Sequence, residues 1–140
     1  MSNDTYCLEE QVGFLLRRAH QRASALFAVE FADHGLTPTQ FTALVKIFDE
    51  GEVSQNKLGR LTAMDPATMK GVIGRLAGRG LIAGRADEID RRRMQWRLTE
   101  TGQALMHRVQ SAGLTVTRET LGPLSAGEQK ILLRLLQKIV

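Results

Sequence analysis

Apolar residues recur at helical spacing from the start of the chain, at Leu8, Val12, Leu15, Leu16, Ala19, Ala23, Leu26 and Phe27, and the run reaches His34 with Gly35 as its stop. The pattern predicts one long first helix. At a rise of about 1.5 Å per residue it would span roughly 40 Å, more than a small core can cover, so part of it is expected to meet a partner chain. Thr37-Pro38-Thr39-Gln40 reads as a capping box with proline at the first helical position. It opens a helix that carries Phe41, Leu44, Val45 and Phe48 and ends near Asp49-Glu50-Gly51.

Ser54 is placed to cap a short helix holding Leu58 and Leu61. After a break at Thr62-Ala63-Met64, Asp65-Pro66 starts a second helix whose Met69, Val72, Ile73 and Leu76 share one face, with Gly80 as its stop. Ala67, Thr68, Lys70, Gly71 and Arg75 are then left facing outward. Leu81–Arg85 and Met94–Leu98 are strand candidates around a charged loop, a hairpin with a basic tip. Thr99 caps a helix running through Leu105, Met106, Val109, Ala112 and Val116 to about Leu121. Ser125 and Glu128 form a second capping box, followed by an apolar stripe of Ile131, Leu132, Leu135, Leu136, Ile139 and Val140. The predicted fold is mainly α with a small β-hairpin. It forms a single domain over residues 1–140, with end helices at 8–34 and 100–140 flanking a middle region at 37–99.

A chain of 140 residues, 43% of them apolar, suits one compact domain with its own core. No apolar run approaches the roughly 18 to 20 residues of a membrane span, and no membrane partner is expected. Met1-Ser2-Asn3-Asp4-Thr5 lacks a basic region followed by an apolar stretch, so a cytoplasmic protein is expected. The single cysteine, Cys7, cannot form an internal disulfide or a zinc site alone. His20, His34 and His107 are widely spaced and no glycine-rich phosphate loop follows a strand, so no catalytic residue, cofactor or metal site is assigned. Asp87, Glu88 and Asp90, interleaved with arginines, read as a solvated loop rather than a metal site.

Charge changes the picture once it is located. Between Lys57 and Arg97 the chain carries ten basic and four acidic residues, a net +6, while the remainder is −2. An excess confined to one region suits a polyanion footprint. Helix, turn, helix, hairpin in that order is a winged helix-turn-helix, whose second helix enters the major groove of duplex DNA and whose hairpin tip reaches the minor groove. Lys70 and Arg75 suit guanine or phosphate, Thr68 a thymine methyl or phosphate, and the amides near Pro66, Ala67 and Thr68 a phosphate. Ser54 joins these candidates. Arg91, Arg92 and Arg93 repel one another unless a narrow, negative groove receives them, and Asp90 is placed to hold one guanidinium. Gly71, Gly74 and Gly78 interrupt the recognition helix; Gly71 suits close DNA approach and Gly74 close packing, the alternative being a softer helix.

These segments together resemble the MarR family of bacterial regulators over nearly the whole chain. Gly80-Leu81-Ile82 is similar to that family's turn from recognition helix to wing, Asp90-Arg91-Arg92 to its wing motif, and Leu98-Thr99-Glu100-Thr101-Gly102 to the opening of its next helix. The resemblance implies a homodimer built from first and last helices and bound to a short palindrome. Arg92 is implied as the minor-groove arginine and Asp90 as its support.

The resemblance further implies a small aromatic or heteroaromatic carboxylate, or its coenzyme A ester, as an effector that lowers DNA affinity. Arg17, His20 and Gln21 are the polar candidates for its site, with Phe41, Phe48 and Met106 as apolar walls. A branch of the family senses peroxides through a first-helix cysteine that precedes a phenylalanine, with a tyrosine one turn on. Here Gly13, Phe14 and Arg17 hold those places, and Cys7 lies upstream. The alternatives kept are therefore a redox regulator acting through Cys7 and an interaction module that uses the winged fold without DNA. The small size of the chain favours repression over activation.

Overall fold

The computed structural model describes residues 5–140; the stretch Met1–Asp4, read above for an export signal, lies outside them. The chain forms two compact units. One contains the described residues up to Glu30 together with Ala112–Val140, and the other is Phe31–Ser111.

The central unit begins with a turn over residues 31–35 and continues through α2 (Pro38–Glu50), β1 (Glu52–Ser54), α3 (Gln55–Thr62), α4 (Pro66–Gly78), β2 (Ile82–Ala86) and β3 (Met94–Leu98). The Thr37 hydroxyl accepts from the Gln40 amide while the Gln40 side chain accepts from the Thr37 amide, so the capping box forms as the sequence predicts. The buried face of α2 is Gln40, Ala43, Leu44 and Ile47. It is rotated from the expected Phe41, Leu44, Val45 and Phe48, because the two phenylalanines sit at the edge of the core against other rings. Phe41 lies 4.7 Å from the Phe31 ring and Phe48 lies 6.1 Å from His107.

The short helix α3 holds Leu58 and Leu61 as expected, and of the two it buries Leu58 and leaves Leu61 exposed. The predicted hairpin forms, β2 pairing antiparallel with β3, and a strand not expected from the sequence joins it: Glu52–Ser54 pairs with β3 through Val53 opposite Trp96, giving a three-stranded sheet in the order β1-β3-β2. Val53, Ile82 and Leu98 bury one end of the sheet under the helices.

The terminal unit contains a short 3-10 turn (Leu8–Glu10), α1 (Val12–Glu30) and α6 (Ala126–Ile139); α5 (Glu100–Thr120) begins in the central unit and its last residues belong here. The single helix expected over 8–34 is therefore broken at both ends. Gln11 is extended, and its side chain donates to the Cys7 carbonyl at 2.7 Å, which separates the short turn from α1. After Glu30 the chain turns so that Phe31 and Leu36 are buried in the central unit. Arg22 donates to the carbonyls of Glu119 and Thr120 at 2.9 and 3.4 Å, where the end of α5 needs partners. Ser125 and Glu128 form the second capping box. The stripe beyond it stays open, with Ile131, Leu132, Leu135 and Ile139 exposed. Among the described residues, no helix is long and apolar enough to cross a membrane.

Candidate nucleic-acid interface

α4 is fixed at both ends. Its first turn is held by Asp65, whose carboxylate accepts from the Thr68 amide at 2.8 Å and from the Thr68 hydroxyl at 2.9 Å. Those two bonds, the amide first, hold the Asp65 carboxyl below its ordinary value. At the far end Gly80 takes φ 70°, a conformation glycine reaches without strain, and the Leu81 amide returns to the Leu76 carbonyl at 3.0 Å. Met69, Val72, Ile73 and Leu76 are all buried. Each contributes roughly 1.5 to 3 kcal/mol of apolar burial, which fixes the rotation of the helix about its axis.

That rotation leaves Ala67, Thr68, Lys70, Gly71 and Arg75 exposed, as the spacing predicts, and Pro66 is exposed with them. The stripe directly opposite the core consists of small residues, Ala67, Gly71, Gly74 and Gly78, with Lys70 on one flank and Arg75 on the other. A Cβ added at Gly74 meets no atom within 4 Å, so the reading of Gly74 as a packing glycine is overturned. Preceding the turn, Ser54 spends its hydroxyl accepting from the Lys57 amide at 3.2 Å. In that turn Ala63 adopts φ 54°, and among the described residues it is the one non-glycine with positive φ.

The wing is organised by two aspartates rather than one. Asp90 Oδ1 accepts from the Arg92 amide at 3.1 Å, and the carboxylate lies 3.9 Å from the Arg92 guanidinium and 3.8 Å from that of Arg93. Asp87, read from the sequence only as part of a solvated loop, accepts from the amides of Ile89 (2.8 Å) and Asp90 (3.2 Å) and from the Gln95 side chain (2.8 Å). These bonds, led by the Ile89 amide, hold its carboxyl low. The sequence signal for it was the spacing Asp87-x-Ile89-Asp90, an aspartate turn. Arg91, Arg92 and Arg93 are left exposed, Arg92 at 97% of its side chain. Arg92 and Arg93 also line, with Ser54, Gln55, Asn56 and Met94, a polar cleft of about 180 Å³ beside α3. Arg85 is differently engaged, because Glu52 pairs with its guanidinium across the sheet.

The candidates for an effector site divide between the units. In the terminal unit Arg17, His20 and Gln21 are exposed; Arg17 lies 5.7 Å from the Phe14 ring and His20 3.4 Å from the Ser24 hydroxyl. His20 lines a groove of about 360 Å³ with Leu16, Ala23, Val116, Leu132 and Leu136, and Arg17 and Gln21 do not. In the central unit Phe41 and Phe48 are half-buried, whereas Met106, expected as a pocket wall, is 1% exposed and is a core residue. Cys7 lies 3.3 Å from the Glu9 carboxylate. Among the described residues no group of three or more His, Cys, Asp or Glu is arranged to hold a metal ion, the Asp87, Glu88 and Asp90 set included.

Two helices joined by a tight turn, followed by a sheet whose outer hairpin carries arginines, define a winged helix-turn-helix protein. The MarR family pattern matches residues 36–94. Over its full length the chain is 39% identical to the HTH-type transcriptional repressor NicR of Pseudomonas putida and covers 89% of that protein. Among solved structures it is similar to a probable transcriptional regulator from Pseudomonas aeruginosa, with a TM-score of 0.92 and 47% identity over 96% of this chain and 100% of that one. It is equally similar in fold to Bordetella bronchiseptica BpsR, a structure concerned with regulation of BpsR's DNA binding by 6-hydroxynicotinic acid. There the TM-score is 0.92 and the identity 39%, over 96% of each chain. The chain belongs to the MarR family and is a transcriptional regulator, not an enzyme.

Proposed function

We propose that the protein is a cytoplasmic repressor that grips a palindromic operator as a homodimer and is released by a small aromatic or heteroaromatic acid or its coenzyme A ester. The observation that carries the reading is the division of α4, which buries Met69, Val72, Ile73 and Leu76 and exposes Thr68, Lys70, Gly71 and Arg75 beside a wing of exposed arginines. Major-groove readout belongs to Thr68, Lys70 and Arg75, with the amides at Pro66 to Thr68 and the start of α3 at Ser54 on phosphate. Arg92 enters the minor groove, supported by Asp90, and Arg91 and Arg93 meet phosphate.

Dimerisation falls to the terminal unit, whose exposed Leu15, Leu16, Leu132, Leu135 and Ile139 are costly to leave in water. A palindrome read by two copies would have half-sites about one helical turn apart. The effector class is supported by BpsR, regulated by 6-hydroxynicotinic acid. His20 leads the candidate contacts because it lines the groove of the terminal unit, and Arg17 and Gln21 follow it on the same helix.

The test is selection of bound duplexes from random DNA, followed by titration of the selected duplex with and without 6-hydroxynicotinic acid. Steeply salt-dependent binding to a palindrome, weakened by the acid, is the expected result. Absent or salt-insensitive binding would sink the DNA reading, and binding that no aromatic acid alters would sink the effector reading.

A further inference from the structure

Arg79 belongs by sequence to the basic segment that faces DNA, yet its charge is spent elsewhere. Its Nη1 donates to the Gly35 carbonyl at 2.9 Å and its Nη2 to the His34 carbonyl at 3.2 Å, both within the central unit and 44 and 45 residues back in the chain. The acceptors close a turn in which the amides of His34 and Gly35 both donate to the Phe31 carbonyl, at 3.0 and 3.2 Å. Carbonyls at the end of such a turn lack intrahelical partners and carry partial negative charge, so a guanidinium suits them. The turn is itself anchored. Phe31 and Leu36 are 2% and 6% exposed, and Gly35 takes φ 65° with its α-carbon facing the Arg79 guanidinium, 3.7 Å from where a Cβ would lie.

On its own side Arg79 immediately follows α4, and its amide still donates to the Arg75 carbonyl at 3.1 Å. The latch therefore joins the end of the recognition helix to the turn that opens the central unit. The buried stripe fixes how α4 is rotated about its axis, and past its end the Arg79 latch acts beside the Thr99 bonds to the Gly80 and Leu81 carbonyls in holding the tilt of the helix. Contacts to base edges tolerate displacements of only about half an ångström, and hydrogen bonds behind the contacting residues supply that precision.

We propose that Arg79 is a positioning residue for sequence-specific DNA binding, holding the tilt of α4 through the His34 and Gly35 carbonyls rather than contacting phosphate. The inference rests on the DNA-binding reading above. Its test compares wild type with Arg79→Lys, which keeps the charge but loses the planar two-pronged donor, and with Arg79→Gln, which loses the charge. Each is titrated against the duplex selected by wild type and against a random-sequence duplex, over a range of salt, after its folding is checked by thermal melting.

Loss of two charge-assisted hydrogen bonds that orient the helix is expected to weaken binding to the selected duplex by about 10- to 100-fold in both variants. Random-sequence binding should stay within about twofold of wild type with an unchanged salt slope. An Arg79→Lys variant that keeps the wild-type ratio of specific to random binding overturns the inference. So does an Arg79→Gln variant that weakens both duplexes equally and lowers the salt slope by about one, the mark of a phosphate contact. If wild type selects no duplex at all, the functional reading itself fails, which separates the two outcomes.

Discussion

Gly102 lies against the carbonyl of Leu81, so close that a Cβ at residue 102 would overlap the carbonyl oxygen and come within 3.1 Å of the carbonyl carbon. The same oxygen accepts from the Thr99 amide at 3.0 Å, and the Thr99 hydroxyl donates to the Gly80 carbonyl. The first turn of α5 is thereby pressed onto the start of the wing with no side chain between them. Because the obstacle is backbone, it cannot swing aside. Gly102→Ala is expected to destabilise the fold by about 1 to 3 kcal/mol or more, despite alanine's better helix propensity. A denaturant midpoint equal to or above wild type would contradict the close approach.

The small stripe of α4 makes the opposite prediction for glycines on the same protein. Gly71 and Gly78 each have open space where a Cβ would go. Gly71→Ala in mid-helix should stabilise the fold by about 0.5 to 1 kcal/mol, and Gly78→Ala, in the last helical residue, by less. If α4 lies deep in a groove, Gly71→Ala should also weaken binding to a selected duplex, while Gly78→Ala leaves it unchanged. Thermal melts and titrations of the two variants separate these effects, and a Gly71→Ala protein that binds as wild type leaves the glycine as a tolerated softening of the helix.

How far such features could be read in advance depended on whether their causes are local. α4 was legible down to its four buried residues because Asp65-Pro66 and Gly80 mark its ends and the stripe between keeps helical spacing. β1 was not, because three residues show no period and their partner, β3, lies some forty positions on. The end of α1 was misjudged for a related reason. Its apolar pattern continues past Glu30, and only the burial of Phe31 and Leu36 decides where the chain must turn. In the wing, Asp90 stood out beside its arginines, whereas Asp87 depends on Gln95 from the opposite strand.

The cap at Asp65 should make stability depend on pH in a predictable direction. Its carboxyl is held below the ordinary value by the Thr68 amide and hydroxyl. A group whose folded value lies below its unfolded one contributes in full above the unfolded value, about 4, and loses that contribution as pH falls through the folded value. Asp65→Ala should therefore lower Tm at neutral pH, and its deficit relative to wild type should shrink as the pH drops below about 4. Asp65→Asn, which still caps but does not titrate, should retain more of the wild-type Tm at neutral pH. A deficit of Asp65→Ala that stays constant down to strongly acid pH would show that the carboxylate charge plays no part.

Arg92 offers a test of the wing. Its side chain is almost wholly exposed, held only by the long contact to Asp90, so its removal costs the free protein little. Arg92→Ala is expected to weaken binding to the selected duplex by about 1 to 3 kcal/mol, with Tm and oligomeric state unchanged. Asp90→Ala should give a smaller loss, because the guanidinium remains but its anchor at the Arg92 amide is gone. Equal affinity of the Arg92 variant and wild type would remove the wing from the interface.

Leu135 tests the terminal unit without disturbing any core. It is 46% exposed on α6, in line with Ile131 and Ile139, and the helix around it is nucleated independently by the Ser125 and Glu128 capping box. Leu135 lies outside the buried core of the chain, so α6 should persist in circular dichroism after Leu135→Glu. If the stripe is covered by a second copy, the same change buries two carboxylates in each dimer, one from each copy, which costs several kcal/mol per ion in an apolar contact. Sedimentation should then show a monomer at micromolar concentration, and binding to a palindromic duplex should fall by orders of magnitude while binding to a single half-site persists weakly. A Leu135→Glu protein that remains dimeric would place the self-contact elsewhere and leave the open face of α6 without its expected occupant.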